Sequence, residues 1–251
     1  PSQAAGAIRL PEAINQSRAE ELEAMFSRCA LLSRVILDGS EVHSIDSRGF
    51  EYLVNGIEQL NLDGIQTEIQ NPSEPLRQAR AALRQTDRIP FVTEAEMGIE
   101  SELPVNLIEA LQEVGIAGEL DVKTARQEAS NLGIGLKQAL LNAQVVTEED
   151  LAYVYSRQQM LPLVYPIRNG LLDVLIQHGV PTDDLRRHGV LPFLQMEDML
   201  AVAVEDPSNV YAVDLVRRST DLRVVASVAT PSEIQAGLDL LQRSGNKVSD
   251  E

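Results

Sequence analysis

Several residue types that support particular functions are scarce in this sequence. The 251 residues include one cysteine, three histidines and no tryptophan. The single thiol, Cys29, cannot form an internal disulfide, and with three widely spaced histidines it provides too few ligands for a Cys/His metal site. The pattern Gly-x-x-x-x-Gly-Lys-Ser/Thr, which binds nucleotide phosphates, does not occur. We therefore expect no metal site and no P-loop ATPase.

Basic residues and long apolar runs are also limited. The sequence has 21 Lys and Arg against 38 Asp and Glu, a formal net charge of −17. Such a chain repels the phosphates of nucleic acids, and no basic cluster interleaved with aromatic residues offsets this repulsion. No apolar run approaches the roughly 18 residues of a membrane-spanning helix. We expect a cytoplasmic protein that neither inserts into membranes nor binds nucleic acid.

The chain does contain enough apolar sequence for more than one core. Hydrophobic residues make up 44% of it, and the mean hydropathy is −0.10. Charge is unevenly distributed, since residues 1–90 carry 9 basic and 13 acidic residues, whereas residues 91–251 carry 12 and 25. We therefore predict two domains, residues 1–92 and 103–251, joined by an acidic linker at 93–102, and we expect them to fold independently.

The first 92 residues alternate between strand patterns and helix patterns. We predict strands at "GAIRLPEAI" (6–14), "RVILDGS" (34–40) and "GIQTEI" (64–69). Amphipathic helices are predicted after Ser17, where Glu20 has capping-box spacing, after Ser47, and in "PSEPLRQARAALRQ". This order predicts a sheet covered by helices on one side.

The stretch "VHSIDSRGFEYL" contains an Asp-Ser pair at a predicted strand-to-helix turn. A side-chain oxygen at such a turn can accept a hydrogen bond from a free backbone N–H, so one interpretation is that Ser47 caps the helix. A second is a partner-recognition loop made of Asp46, Ser47, Arg48 and Gly49. A third is a hydrolase with Ser47 as nucleophile and His43 as base, although the Gly-x-Ser-x-Gly elbow is absent.

Residues 103–160 contain an internal repeat with an offset of 29 residues. One copy, "NLIEALQEVGIAGELDVKTARQEA", starts at Asn106, and the other, "GLKQALLNAQVVTEEDLAYVYSRQ", starts at Gly135. Each copy predicts a helix, a turn at Gly115 or Gln144, and a second helix. The sequence therefore predicts two stacked helical hairpins.

Residues 161–245 have the order strand, strand, helix, strand, helix. The letters Thr230-Pro231-Ser232-Glu233 indicate the start of the last helix, with a capping Thr, Pro at the first position and Glu at the third. The predicted fold class is thus α/β: an N-terminal sheet with helices, then a tandem helical-hairpin subdomain, then a small α/β subdomain.

The N-terminal motif resembles the STAS family, the fold of bacterial anti-sigma-factor antagonists. The resemblance covers about residues 7–89 and rests on Ile45-Asp46-Ser47-x-Gly49, on Gly64 and on "NPSEPLR". In switching members a phosphorylated hydroxyl immediately precedes the glycine, and Arg48 holds that position here. The resemblance implies the STAS fold and a partner-facing loop, and the departure predicts that Ser47 is not phosphorylated.

Residues 103–241 resemble the N-terminal domain of type II secretion and type IV pilus assembly ATPases, a module that in some members binds cyclic di-GMP. The resemblance rests on the tandem repeat, on "LPFLQMEDMLAVAVEDPSNVYAVDLVRRSTDLRV" and on "TPSEIQAGL". In ligand-binding members each repeat opens with Arg-Leu-Gly and ends in Gln. The corresponding positions here are Asn106, Leu107 and Ile108, then Gly135, Leu136 and Lys137, with Gln158 at the end of the second copy. Both arginines and both glycines are therefore missing.

These patterns favour a non-enzymatic regulatory or adaptor protein of a bacterial secretion, pilus or signalling system, with a protein partner and no cofactor. The alternative is a receptor for cyclic di-GMP or another nucleotide with a degenerate motif. Without a P-loop, the chain would correspond only to the regulatory part of an assembly ATPase. Because it starts at Pro1 rather than Met, we also expect it to be a piece of a longer protein.

Overall fold

The computed structural model describes residues 5–29, 32–85, 88–89, 106–176 and 179–248. The linker predicted at 93–102 lies outside these residues. Among the helices of the described ranges, none is both long enough and apolar enough to cross a membrane.

The N-terminal part is a parallel sheet with helices packed against it, as the sequence predicts. Its elements are β1 (Ala5–Arg9), β2 (Ala13–Ile14), α1 (Ala19–Cys29), β3 (Arg34–Asp38), β4 (Ser44–Ile45), α2 (Ser47–Leu62), β5 (Gln66–Gln70) and α3 (Glu74–Ala82). The three longer strands have the order β1-β3-β5, while β2 and β4 form a separate short parallel pair. Helix α2 buries the predicted face, including Phe50, Leu53, Val54 and Ile57.

Two local expectations in this part are wrong. The segment 6–14 is two strands rather than one, because β1 ends before Pro11, whose ring cannot supply a ladder N–H. A 3-10 turn (Gln16–Arg18) precedes α1, and Ser17 does not form the expected capping box. Its hydroxyl donates instead to the side-chain oxygen of Asn15, 2.6 Å away.

The tandem repeat is present as two helical hairpins with the predicted offset. Its helices are α4 (Leu107–Glu113), α5 (Glu119–Leu132), α6 (Leu136–Asn142) and α7 (Glu148–Gln159). The turn residues Gly115 and Gln144 have positive φ angles of +73° and +55°. Each second helix also begins alike, since Asp121 and Asp150 accept hydrogen bonds from the backbone N–H three residues earlier, at 3.0 and 2.8 Å. The equivalence therefore extends to turn geometry and caps.

The C-terminal part is the expected small α/β subdomain with one additional helix. Its elements are α8 (Thr182–His188), β6 (Val190–Met196), β7 (Met199–Val204), α9 (Val210–Arg217), β8 (Arg223–Val228) and α10 (Pro231–Val248). The sheet order is β6-β7-β8, with β6 antiparallel and β8 parallel to β7. Thr230 accepts a hydrogen bond from the Glu233 N–H at 3.3 Å, as expected of the cap.

The buried apolar side chains form two clusters that do not follow the predicted pair of domains. The larger cluster includes Leu37 and Phe50 of the N-terminal part together with Phe193 and Leu200 of the α/β subdomain. The smaller cluster belongs to the helical repeat and reaches Val228 in β8. The N-terminal sheet and the α/β subdomain thus share one apolar interior, and the independent folding of the two predicted domains stays a prediction.

Candidate functional site

The N-terminus of α2 faces strand β6 across the boundary between the N-terminal part and the α/β subdomain. Asp46 caps the helix, since one carboxylate oxygen accepts from the Gly49 N–H at 2.7 Å and the other from the Gln16 N–H at 3.2 Å. The interpretation of Ser47 as the cap is therefore wrong, because the extended backbone of a cap belongs to Asp46. Ser47 is the first helical residue, and its Oγ accepts a hydrogen bond from the Gln195 N–H at 2.7 Å.

This hydrogen bond provides an acceptor for one backbone N–H on the free edge of a sheet. Strand β6 lies at the edge of its sheet, so its outward backbone groups have no ladder partner. Ser47 accepts from the outward N–H of Gln195, and the Asp173 N–H donates to the carbonyl of Phe193 at 2.8 Å. Ser47 is only 6% exposed. The hydroxyl is therefore largely shielded from solvent, and the absence of phosphorylation at Ser47 stays a prediction.

The other residues of the predicted partner loop are arranged around the same contact. Gly49 permits close approach, because a Cβ on it would lie 2.2 Å from the backbone of Ile14. Arg48 is exposed and forms an ion pair with Glu51 at 3.4 Å. Of the four loop residues, Arg48 is the one whose side chain is largely open to solvent.

Two hydrogen bonds, one between backbone groups and one from a backbone N–H to a side chain, join the N-terminal part to the segment that precedes α8. The carbonyl of Gly170 accepts from the Ile45 N–H at 3.0 Å. Gln78 in α3, only 5% exposed, accepts from the Tyr165 N–H at 2.9 Å. A buried amide that lost this partner would leave unsatisfied polar groups, so both contacts fix the segment against the N-terminal part.

Arg88 forms an ionic clamp across the same boundary. Its guanidinium donates to Glu58 of α2 at 2.9 Å and to Glu197 in the turn between β6 and β7 at 3.1 Å. The hydrogen bond from Arg88 lowers the pKa of Glu58 below its ordinary value. The same hydrogen bond is the main reason that the pKa of Arg88 is raised.

A cleft of about 630 Å³ opens along the boundary beside these contacts. Its lining includes one cation, Arg48, and four carboxylates, those of Asp46, Glu51, Asp173 and Glu197. Like charges at this density disfavour an anionic ligand such as a phosphate ester. The cleft is therefore poorly suited to an anionic nucleotide.

The described residues contain neither a nucleophile–base pair at Ser47 nor a metal cluster. The Ser47 hydroxyl is bonded to the Gln195 backbone, and His43 is an exposed residue of the preceding loop. No group of three or more His, Cys, Asp or Glu side chains is placed to hold a metal ion in the parts of the chain that the structure covers. The hydrolase interpretation thus finds no support in the geometry.

The seven residues predicted as a degenerate nucleotide site lie at the starts of α4 and α6 and near the end of α7. Asn106 and Gly135 are the N-caps of α4 and α6, and Asn106 accepts from the Ile108 N–H at 3.0 Å. The apolar members of the set, Leu107, Ile108 and Leu136, pack against the core of the repeat. These three residues therefore pack as part of the hairpin core.

Lys137 is held by an aromatic ring within the repeat. Its Nζ lies 5.7 Å from the centroid of the Tyr155 ring, within the range of a cation–π contact. Burial raises the pKa of Tyr155 to about 12, with further contributions from Asp206 and Glu205. Gln158 lies one turn further along α7. The only cation of the predicted site is therefore already engaged with Tyr155.

A polar contact connects the helical repeat to the α/β subdomain. Glu148, in the first turn of α7, accepts from both the N–H and the hydroxyl of Ser232, at 3.1 and 2.6 Å. Glu233 accepts from the backbone N–H groups of Ile167 and Arg168, at 2.7 and 3.3 Å. Both carboxylates lie at the positive N-termini of helices, α7 and α10. Glu148 joins the two helix starts, and Glu233 joins the start of α10 to the segment before α8.

The sequence does not single out the boundary residues Gln78, Arg88 and Gln195. The group of Gln195 that contacts Ser47 is its backbone N–H, which every residue other than proline has. Nothing in the sequence therefore indicates that this N–H donates to Ser47, 148 residues away.

Comparison with known proteins supports both resemblances. The model of the STAS domain matches residues 2–96, and the model of the MshEN domain matches residues 160–247. Type II secretion system protein E from Xanthomonas campestris pv. campestris is 30% identical over 143 residues, which are 55% of this chain and 24% of that protein. The chain therefore spans about a quarter of the length of this relative.

Two solved structures also resemble the chain. The N-terminal domain of XpsE is 29% identical, with 53% of this chain and 92% of that chain covered and a TM-score of 0.45. A structure of MshE with cdg is 24% identical, with 54% and 98% covered and a TM-score of 0.47. By its two domain matches, the chain carries a STAS domain at its N-terminus and an MshEN domain over residues 160–247.

Proposed function

We propose that this protein is a non-enzymatic regulatory adaptor that acts through protein–protein contacts in the bacterial cytoplasm. It would serve a secretion, pilus or signalling system, since the MshEN match and the 30% identical relative point to such systems. The observation that carries the proposal is the hydrogen bond from Gln195 to Ser47, which seats the STAS loop on the MshEN domain. A partner that binds one domain then changes the contacts available to the other.

The experiment that tests the adaptor combines complex formation with a nucleotide panel. The full chain is co-expressed with components of the secretion or pilus system of its source and analysed by size-exclusion chromatography. An adaptor gives a complex that survives the column, and its melting temperature does not change with nucleotide concentration. A melting temperature that rises with added nucleotide, without any protein complex, contradicts the adaptor.

The alternative function is a receptor for cyclic di-GMP. One observation favours it: Asn106 and Gly135 occupy equivalent N-cap positions in the two hairpins, and these are the positions at which the resembled family has arginines. The arginines themselves are missing, which weakens the alternative. A hydrogen bond to a charged group contributes about 1.5 to 3 kcal/mol, so the loss of two arginines weakens binding by about two to four decades. The net charge of −17 adds repulsion toward a dianion.

Calorimetry with cyclic di-GMP separates the two functions directly. The adaptor predicts no binding with a dissociation constant below about 100 μM, which is what a loss of two decades leaves of a site that binds at about 1 μM. Submicromolar binding by the unmodified chain would replace the adaptor with the receptor.

A further inference from the structure

A second surface of the STAS domain is an open groove between α1 and α2. We call it the α1/α2 groove and define it by its lining: Leu22, Glu23, Phe26 and Ser27 of α1, and Tyr52, Asn55, Gly56, Gln59, Leu60 and Asp63 along α2. Its volume is about 550 Å³. The α2 positions follow one another at three- and four-residue spacing, so they form one stripe along the helix.

The floor of the groove is apolar because the two helices approach closely at Gly56. A Cβ on Gly56 would lie 2.2 Å from the ring of Phe26, so only glycine lets the ring rest against α2. Leu22 and Leu60 are almost completely buried beneath it, while Tyr52 remains 36% exposed at the side. The groove thus presents aromatic surface that nothing in the described part of the chain covers.

The rim of the groove has one sign of charge. Glu23 and Asp63 are exposed, and no Lys, Arg or His belongs to the lining within the described residues. The one described side-chain contact of Asp63 is a hydrogen bond from Gln59 at 3.3 Å. An acidic rim around an apolar floor complements an amphipathic segment that carries basic residues beside its apolar face.

The dimensions of the groove fit an α-helix as the occupant. Tyr52 and Asp63 mark its two ends along α2, and the rise of an α-helix places them about 16 Å apart. A groove bounded by two helices accepts a third one, with apolar residues at positions i, i+3 or i+4, and i+7. About three turns of helix span the 16 Å.

We infer that the α1/α2 groove binds an amphipathic, basic helix of a partner protein. The apolar face of that helix packs on Phe26 and Tyr52, and its lysines or arginines pair with Glu23 and Asp63. The inference rests on the proposed adaptor function and deepens it. It gives the STAS domain a partner surface separate from the loop that the MshEN domain covers.

The test measures binding of a fluorescein-labelled synthetic peptide to the full chain by anisotropy. The peptide has about three helical turns, leucines along one face and lysines at both edges of that face. Tyr52→Ala is expected to weaken binding at least about tenfold by removing apolar wall. Tyr153→Ala in α7 is the matched control, because Tyr153 is similarly exposed, at 43%. It should bind like wild type.

A second pair of variants separates the rim from the general attraction of a chain with net charge −17. Glu23→Lys with Asp63→Lys is expected to weaken binding at least about tenfold. Glu113→Lys with Glu128→Lys makes the same charge change on exposed residues of the helical repeat and is expected to have a much smaller effect. A peptide of the same composition with scrambled leucines should bind weakly.

Three results would overturn the groove: no binding of the peptide, equal binding by all variants, or equal binding of the scrambled peptide. Melting curves of each variant establish that it is folded before binding is compared. A failure of the adaptor function is distinguishable from a failure of the groove proposal. If the native complex forms equally with wild type and with Tyr52→Ala, the groove proposal is wrong and the adaptor function stands. If wild type forms no complex, the adaptor function is contradicted, whatever the peptide result.

Discussion

The Ser47 hydroxyl makes one short hydrogen bond with a large structural consequence, because the Gln195 N–H that it accepts belongs to an edge strand. Ser47→Ala keeps the helix and its Asp46 cap but leaves this N–H without an acceptor. A buried donor that loses its partner costs about 1 to 3 kcal/mol, so we expect the free energy of unfolding to fall by that amount. Chemical denaturation measures it.

The control for this prediction is Ser130→Ala, an exposed serine in α5. A surface change of this kind is expected to stay within about 0.5 kcal/mol of wild type. If Ser47→Ala is equally silent, the Ser47–Gln195 hydrogen bond does not hold the boundary.

At the scale of an element, the two helical hairpins differ in how well their first N-cap positions, Asn106 and Gly135, tolerate substitution. Gly135 has a φ of −69°, and no atom lies within 4 Å of a Cβ built on it, so Gly135→Arg meets no steric clash. Because Gly135 supplies no side-chain cap, Gly135→Arg should lower the melting temperature less than Asn106→Arg. Asn106→Arg removes the side-chain cap of α4 and should cost about 1 kcal/mol. Thermal melts of the two single variants test this, and an equal cost for both would contradict the assignment of the cap.

The Arg88 clamp predicts a pH dependence with a definite sign. Because the pKa of Glu58 is lowered in the folded protein, its stabilising contribution is present above the ordinary glutamate pKa of about 4.3 and is lost as pH falls through the lowered value. Glu58→Gln should therefore melt below wild type at neutral pH, and the difference should shrink in acid. Glu128→Gln, at an exposed site in α5, should show no such trend.

The elements were largely predictable from the sequence, because their signals are local. Thr147, Thr230 and their helices follow from residues three positions apart, and the equivalence of Asn106 and Gly135 follows from the 29-residue offset of the leucines. The boundary was not predictable. The contact between Ser47 and Gln195 joins residues 148 positions apart, and an unpaired edge N–H leaves no trace in the side-chain pattern.

On the scale of the whole molecule, the distribution of the core decides which parts unfold together. The STAS sheet and the MshEN α/β subdomain share the larger apolar cluster, and the Arg88 clamp and the Ser47 contact cross the same boundary. The helical repeat has a separate core that reaches the rest through Val228 and the contact between Glu148 and Ser232. The repeat can therefore open while the other two parts remain joined.

Hydrogen exchange followed by mass spectrometry tests this division in the full chain. We expect the amides of α2, β3, β6 and β7 to share one slow rate, because exposing any of them breaks the common core, whereas those of α4 and α6 should exchange faster. Ser47→Ala should accelerate α2 and β6 together and leave α4 unchanged. Slow but different rates for α2 and β6, with only α2 responding to Ser47→Ala, would show instead that the STAS domain folds by itself.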